Sequence, residues 1–322
     1  MFDIVALGEL LIDFTPYGVS EKGNALFECN PGGAPANVLA GVSKLGEKTA
    51  FIGKVGKDSF GDFLKNVLSK NNIDARGLSL TDECSTTLAF VHLSESGDRS
   101  FSFVRNPGAD MTLQIEDIPF ETIDKSKIFH FGSVSMTHDL PRDATLKAAE
   151  YAKSKGLIVS YDPNYRPLLW ENEKTAVEVM KMGLKYADIL KVSEEESILL
   201  TGADSIREAA NSLYNNGIKL VLITLGEKGC YYKYSGGEGR VNTYDVKVVD
   251  TTAAGDAFLA GMLYKLKLSD SDGTDKNAME QCIRFANAAG SLATTKKGAI
   301  DTLPDLNDIE YCMKNISELV IK

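Results

Sequence analysis

Residues Val248–Gly261 read Val-Val-Asp-Thr-Thr-Ala-Ala-Gly-Asp-Ala-Phe-Leu-Ala-Gly and combine the makings of an anion site with an adjacent carboxylate. The apolar, β-branched run ending there, Tyr244–Val249, reads as a strand, and Ala257–Leu268 reads as a buried helix of good helix formers. Small and hydroxyl side chains between them let an anionic oxygen approach the first helical N–H groups. Those groups have no intrahelical acceptor and sit at the positive end of the helix dipole. Asp256 complements that dipole, and it is also placed to take a proton from a hydroxyl about to attack a phosphoryl group. Pro31-Gly32-Gly33-Ala34-Pro35-Ala36-Asn37 enters a helix running to Leu45. Its glycines are either plain turn chemistry or a backbone able to lie against a ligand, and Asn37 brings a donor and an acceptor. Asp13 falls where an early strand emerges, the end of an open α/β sheet at which ligands gather; a solvated loop aspartate is the plainer reading.

Further along, Arg105 leaves a hairpin and either grips a substrate hydroxyl or lies on an edge strand. Asp162-Pro163-Asn164-Tyr165-Arg166-Pro167 is stiffened by proline on both sides, so Arg166 is projected from a fixed loop toward any charge on a transferring phosphate. Ser193-Glu194-Glu195-Glu196 is a capping box, which accounts for Glu196 without any chemistry; Lys191 just before it is a candidate phosphate contact. Thr224-Leu225-Gly226-Glu227-Lys228-Gly229 can turn a backbone around an anion or a base, yet no P-loop occurs in the chain. Phe285–Gly290 gives a helix a small face, suited to a flat base beside Asn287 or simply to close helix packing.

The elements that must hold these residues alternate. Strands are expected at Phe2–Leu7, 48–53, Ile128–Gly132, Leu157–Asp162, Ala187–Val192 and Leu220–Leu225. Helices are expected to about Lys70 and at about 141–155, 171–186, 193–201, 204–216 and 276–295, with a last apolar stripe from Leu306 through Ile309, Met313 and Ile316 to Val320. This rhythm predicts an α/β fold: a mostly parallel central sheet with helices on both faces. Residues 86–93 and 99–105 break it as a hairpin around Ser94–Asp98, and residues 15–31 look like an irregular excursion. Together these two stretches are expected to form a small β lid (13–31 and 83–107) beside one large domain (1–12, 32–82 and 108–322).

The chain is 322 residues long, 43% hydrophobic and 25% charged, as a globular protein should be. A net charge of −10 argues against nucleic acid or an anionic membrane as partner. Five cysteines without CxxC spacing and three scattered histidines give no metal-ligand cluster, and they suit a reducing cytoplasm. Acidic residues at 3, 9 and 13 interrupt the N-terminal apolar run, so neither a signal peptide nor a membrane span is expected.

Asp-Thr-Thr-Ala-Ala-Gly-Asp-Ala-Phe-x-Ala-Gly resembles the C-terminal signature of the ribokinase/PfkB family of carbohydrate kinases, with Ala253 where the commoner form has Gly. Gly-Gly-Ala-Pro-Ala-Asn-Val resembles the family's N-terminal signature in its fructokinase version, as does Asp-Pro-Asn-x-Arg. The resemblance spans the chain and implies an ATP-dependent sugar kinase acting on the 6-hydroxyl of D-fructose. A relative acting on 2-keto-3-deoxygluconate, ribose or a nucleoside, or an idle sugar- or nucleotide-binding relative, is the alternative. Asp256 would be the catalytic base, with the Ala254, Gly255 and Asp256 amides and Arg166 around the moving phosphoryl group. Asp13, Gly32, Gly33, Asn37, Arg105 and Asn164 would hold the sugar. Lys191, Thr224, Gly226, Gly229, Ala254, Gly255 and Asn287 would hold the nucleotide. Glu196 would order water around Mg²⁺, although Ser193 stands where the family has Asn. Asp250 and Thr252, with the turn at Gly298-Ala299, would take a monovalent cation such as K⁺. The expected partners are sugar and ATP, and a homodimer is left open.

Overall fold

The computed structural model describes residues 1–93, 99–268 and 275–320. In chain order its strands are β1 (Ile4–Leu7), β2 (Leu11–Val19), β3 (Ala25–Gly32), β4 (Thr49–Gly56), β5 (Ile73–Thr81), β6 (Leu88–Leu93), β7 (Arg99–Val104), β8 (Ile128–Gly132), β9 (Ile158–Asp162), β10 (Ile189–Ser193), β11 (Leu220–Thr224), β12 (Cys230–Tyr234) and β13 (Gly237–Val241). The helices are α1 (Ala34–Lys44), α2 (Ser59–Lys70), α3 (Phe120–Ile123), α4 (Asp139–Ser154), α5 (Glu173–Leu184), α6 (Glu194–Thr201), α7 (Ile206–Asn215), α8 (Ala254–Leu268), α9 (Lys276–Ala293) and α10 (Leu306–Asn315).

Nine strands form one sheet in the order β13-β12-β11-β10-β9-β8-β1-β4-β5. All pairs are parallel except those made by β12 and β13. Period-two alternation along β1 explains the layering. Ile4 and Ala6 enter a core with α1, α2, α8 and α9, whereas Val5 and Leu7 enter a second core with α4, α5, α6 and α7. From β1 the chain builds outward to β4 and β5, then returns to place β8 on the other flank of β1. The order therefore reverses between β1 and β8, and a crevice at the carboxyl ends is expected there.

A second sheet has the order β3-β2-β6-β7, with β2 and β6 parallel and the outer pairs antiparallel. Residues 15–31, expected to be irregular, are most of its first hairpin. Pro16 sits where the β2–β3 register slips, and Pro31 lies on the edge strand, so neither proline interrupts a central ladder. The hairpin turn at 94–98 lies outside the described residues.

Two other expectations are corrected. Residues 245–249 form no strand; only Tyr244 makes a bridge, to Glu318, while Val248 and Val249 are exposed and so lack the burial that would reward pairing. Helix α10 ends at Asn315, and Val320 is exposed rather than part of its stripe. Strands β5, β12 and β13 were not anticipated from the sequence pattern.

Phe131 is fully buried in the second core and stacks on Tyr161 with ring centroids 4.5 Å apart. Phe131→Ala is expected to lower the unfolding free energy by about 3–5 kcal/mol, read as an earlier urea midpoint at unchanged slope.

Candidate active site

Two helix starts meet at the carboxyl edge of the large sheet. Gly33, at the N-cap of α1, has φ 121° and no side chain; a Cβ there would collide with the Glu9 carbonyl, so only glycine fits. One turn in, Asn37 is buried and donates from Nδ2 to Asp256 Oδ2 at 2.8 Å. Its Oδ1 is buried without an acceptor's usual partner in the protein. Asp256 is the third residue of α8, which starts at Ala254, three residues before the expected helix start at Ala257. The first α-helical donation runs from Ala257 to the Ala253 carbonyl, 2.8 Å, so the Gly255 and Asp256 amides precede it. Ala253 has φ 58°, which explains why glycine is the commoner residue in the motif.

Beneath this turn lies an ion pair. Lys191 Nζ, from the middle of β10, is 2.8 Å from Asp162 Oδ2 at the end of β9, and both side chains are buried. A Cβ on Gly255 would stand 2.9 Å from the same Nζ. The ammonium therefore abuts the first turn of α8 from below. Burial works to lower its pKa, but Asp162, Glu196 and Asp256 outweigh burial and raise it. Burial pushes the Asp256 carboxyl up; Asn37, Lys191 and Arg166 oppose that rise and Asp162 adds to it. Arg166 is exposed in the loop after β9, and its field reaches both Asp256 and Asp13. Asp13 lies in β2 beside Gly32, where a Cβ would strike its Oδ2, and burial raises it to about 6.

Three candidates are held differently from the plainest expectation. Arg105 is no surface arginine: it is buried, pairs with Asp110 (Nε 2.9 Å, Nη2 2.7 Å) and reaches Thr137 Oγ1 and the Val134 carbonyl. Glu196 completes the capping box with Ser193 and also accepts from the Tyr165 N–H at 2.6 Å. Both its oxygens thus pin backbone, and the second contact fixes the Asp162–Arg166 loop, in which Asn164 has φ 50° and donates its N–H to Asp162 Oδ1. Asn287 gives both amide hydrogens to the Val241 and Asn242 carbonyls, tying α9 to the end of β13.

Thr224 ends β11 beside Ser193, and Gly226 and Gly229, both at positive φ, close the turn after it. Asp250 gathers the Thr252 N–H and hydroxyl on Oδ1 and the Gly298 N–H on Oδ2, so the three residues expected around a cation are one cluster. Asp162, Asp110 and Glu9 were not singled out from the sequence. Asp162 could have been, as the first residue of the Asp-Pro-Asn-x-Arg motif. Among the described residues no group of three or more His, Cys, Asp or Glu side chains could hold a metal, and no helix is long and apolar enough to cross a membrane.

A family model described as pfkB family carbohydrate kinase matches residues 1–306. A protein named probable fructokinase-5 from Arabidopsis thaliana is 44% identical over 318 residues, covering 98% of each chain. The crystal structure of fructokinase with bound ATP from Xylella fastidiosa is similar with a TM-score of 0.89 at 34% identity, covering 97% of this chain and 98% of that one. A fructokinase double mutant from Vibrio cholerae O395, in fructose, ADP and potassium ion bound form, gives a TM-score of 0.88 at 34% identity over 97% and 98% of the two chains.

Two substitutions test the turn. Gly255→Ala must displace a buried, paired ammonium and is expected to cost about 1–3 kcal/mol. Ala253→Gly relieves the left-handed backbone at an entropic cost of similar size, so stability should change by less than about 1 kcal/mol. Denaturant titration of both variants checks the contrast.

Proposed function

The chain belongs to the pfkB family of carbohydrate kinases, and from that premise we propose which of its residues carry the reaction. It is an ATP-dependent sugar kinase of the fructokinase type, moving the γ-phosphoryl group of ATP to the 6-hydroxyl of D-fructose. The hydrogen bond between Asn37 and Asp256 carries the assignment of the centre, because it sets a buried carboxylate between two helix N-termini.

Asp256 takes the proton from the 6-hydroxyl as that oxygen attacks the γ-phosphorus in line. Asn37 holds the carboxylate through Nδ2, and its unpartnered Oδ1 accepts from a second sugar hydroxyl. Asp13, the Gly32-Gly33 backbone and Asn164 orient the rest of the ring, with Arg105 at the margin through what donor capacity its protein partners leave. The Gly255 and Asp256 amides receive the charge growing on the phosphoryl oxygens, with Lys191 below and Arg166 above; the Ala254 N–H, expected to join them, instead donates to the Thr251 carbonyl at 3.3 Å. The nucleotide lies along Thr224, Gly226 and Gly229 toward Asn287.

Glu196, each of whose oxygens accepts one backbone N–H, fits an indirect contact through water to Mg²⁺ that would arrive with the nucleotide, since magnesium favours phosphate oxygens and water. Glu196 keeps lone pairs for such a water, and the ion would supply charge neutralisation on the phosphates. The Asp250, Thr252 and Gly298 cluster supports a K⁺ site. The four-stranded sheet serves as a lid, excluding water so that transfer goes to the sugar. Its exposed Tyr17, Val19 and Phe27 support a homodimer through that sheet. Five free cysteines support a reducing, cytoplasmic setting.

Asp256→Asn should preserve fold and ADP affinity while kcat falls by about 10²–10⁴; near-normal turnover would remove Asp256 from the base role. A coupled ADP-release screen over fructose, mannose, ribose, ketodeoxygluconate and adenosine should favour fructose. The acid limb has a definite sign. Asp13 and Asp256 are both raised and act only when ionised, so kcat/KM should fall as pH drops through about 6, and Asp13→Asn should remove the Asp13 inflection while raising the fructose KM.

A further inference from the structure

Helix α1 starts without a side-chain cap, because its N-cap residue is Gly33. Glu9 fills that place from 25 positions before Ala34: its Oε1 accepts the Ala34 N–H at 3.0 Å. Gly33 packs directly on the Glu9 carbonyl, so the loop leaving β1 and the entry to α1 are locked backbone to backbone. Glu9 lies just beyond the carboxyl end of β1, at the reversal of strand order beside β8. It is buried, and its Oε2 has no partner in the protein. In the next step of the same turn, the Asn37 N–H donates to the Gly33 carbonyl at 3.0 Å while the Asn37 side chain holds Asp256. An unbroken series of contacts therefore runs from the Glu9 carboxyl through the first turn of α1 to the carboxylate of Asp256.

We propose that Glu9 is a positioning residue for the proton-abstracting centre: capping α1 from outside the helix, it sets the angle at which Asn37 meets Asp256 and hence where both meet the sugar hydroxyl. The proposal rests on the reading of Asp256 as the base. A charged acceptor holds helix N–H groups more firmly than a neutral one. Burial raises Glu9 to about 7, against the backbone hydrogen bonds it accepts; Asp110 adds to the rise and Arg105 opposes it, and these two are the charged groups that face it. The first turn of α1, Ala34 to Asn37, contributes no charge of its own. The charged cap is therefore present above about pH 7 and lost below it, so positioning tightens as pH rises through that value.

The test is steady-state kinetics of the full chain with fructose and ATP, for wild type, Glu9→Ala and Glu9→Gln across pH. Glu9→Ala should lower kcat and raise the fructose KM, for a combined loss of about 10- to 100-fold, with ADP affinity unchanged. Glu9→Gln keeps an acceptor oxygen, so it should recover most of kcat/KM at pH 8 and lack the ionisation near 7 that the wild type shows. Glu9→Ala that is merely less stable, with normal kinetics per folded molecule, overturns the proposal. So does a Glu9→Gln profile that superimposes on wild type, and this second variant decides the matter if the first does not fold. A wild-type chain that phosphorylates no sugar sinks the assignment of the site itself, and this proposal with it.

Discussion

The contact between Asn37 and Asp256 depends on how closely three helices can approach one another. Helices α1 and α8 cross at Gly41, where a Cβ would come within 2.7 Å of Ala260. Helices α8 and α9 cross at Gly261, where it would come within 3.2 Å of Ala289 and 3.1 Å of the Ala286 backbone. Small residues at both crossings shorten the interaxial distances. The N-termini of α1 and α8 are thereby brought to one point, and a side-chain hydrogen bond can span them. Larger residues at either crossing would separate the helix starts before they disturbed any residue of the site.

The same convergence creates an electrostatic problem that the structure answers locally. Two helix starts favour anions, yet the chain carries 45 acidic against 35 basic side chains, and Asp256, Asp13 and Glu9 all crowd the crevice. Burial raises all three carboxyl groups. At Asp256 one buried ammonium, Lys191, opposes this from beneath the α8 turn, and Asp162 keeps it charged in turn; at Glu9 the buried Arg105 opposes it. Arg166 adds a third positive group from the solvent side. The site is thus a small region of positive field within an acidic molecule, built from helix ends and three cations, Lys191, Arg166 and Arg105.

What was legible in the sequence was what is local. The small-residue turn before Asp256, the Gly-Gly before Asn37 and the glycine turn after Thr224 each declare themselves within a few residues, because backbone approach and helix starts are short-range requirements. The βα alternation from residue 127 onward was readable for the same reason. Long-range partnerships were not. Arg105 was left between a substrate contact and an edge-strand position because nothing nearby in sequence announces that Asp110, Thr137 and Val134 close around it. Asp162 was passed over within its own motif because its partner, Lys191, is 29 positions away. The hairpin of β2 and β3 was misread because proline and glycine were weighed as breakers, whereas on an edge and at a register slip they are compatible with pairing. Tyr244–Val249 had the composition of a strand but no buried edge to pair with.

The two atoms of the central hydrogen bond come from residues 219 positions apart. During synthesis the Asn37 turn must wait, with its partner absent, until nearly four-fifths of the chain has left the ribosome. No N-terminal fragment that stops short of α8 can assemble the centre, however well its own sheet strands pair. A protein cut between the two halves would regain the centre only by reassociation. Splitting the chain in the loop between β13 and α8 would therefore make the appearance of the centre a direct report of two fragments finding each other.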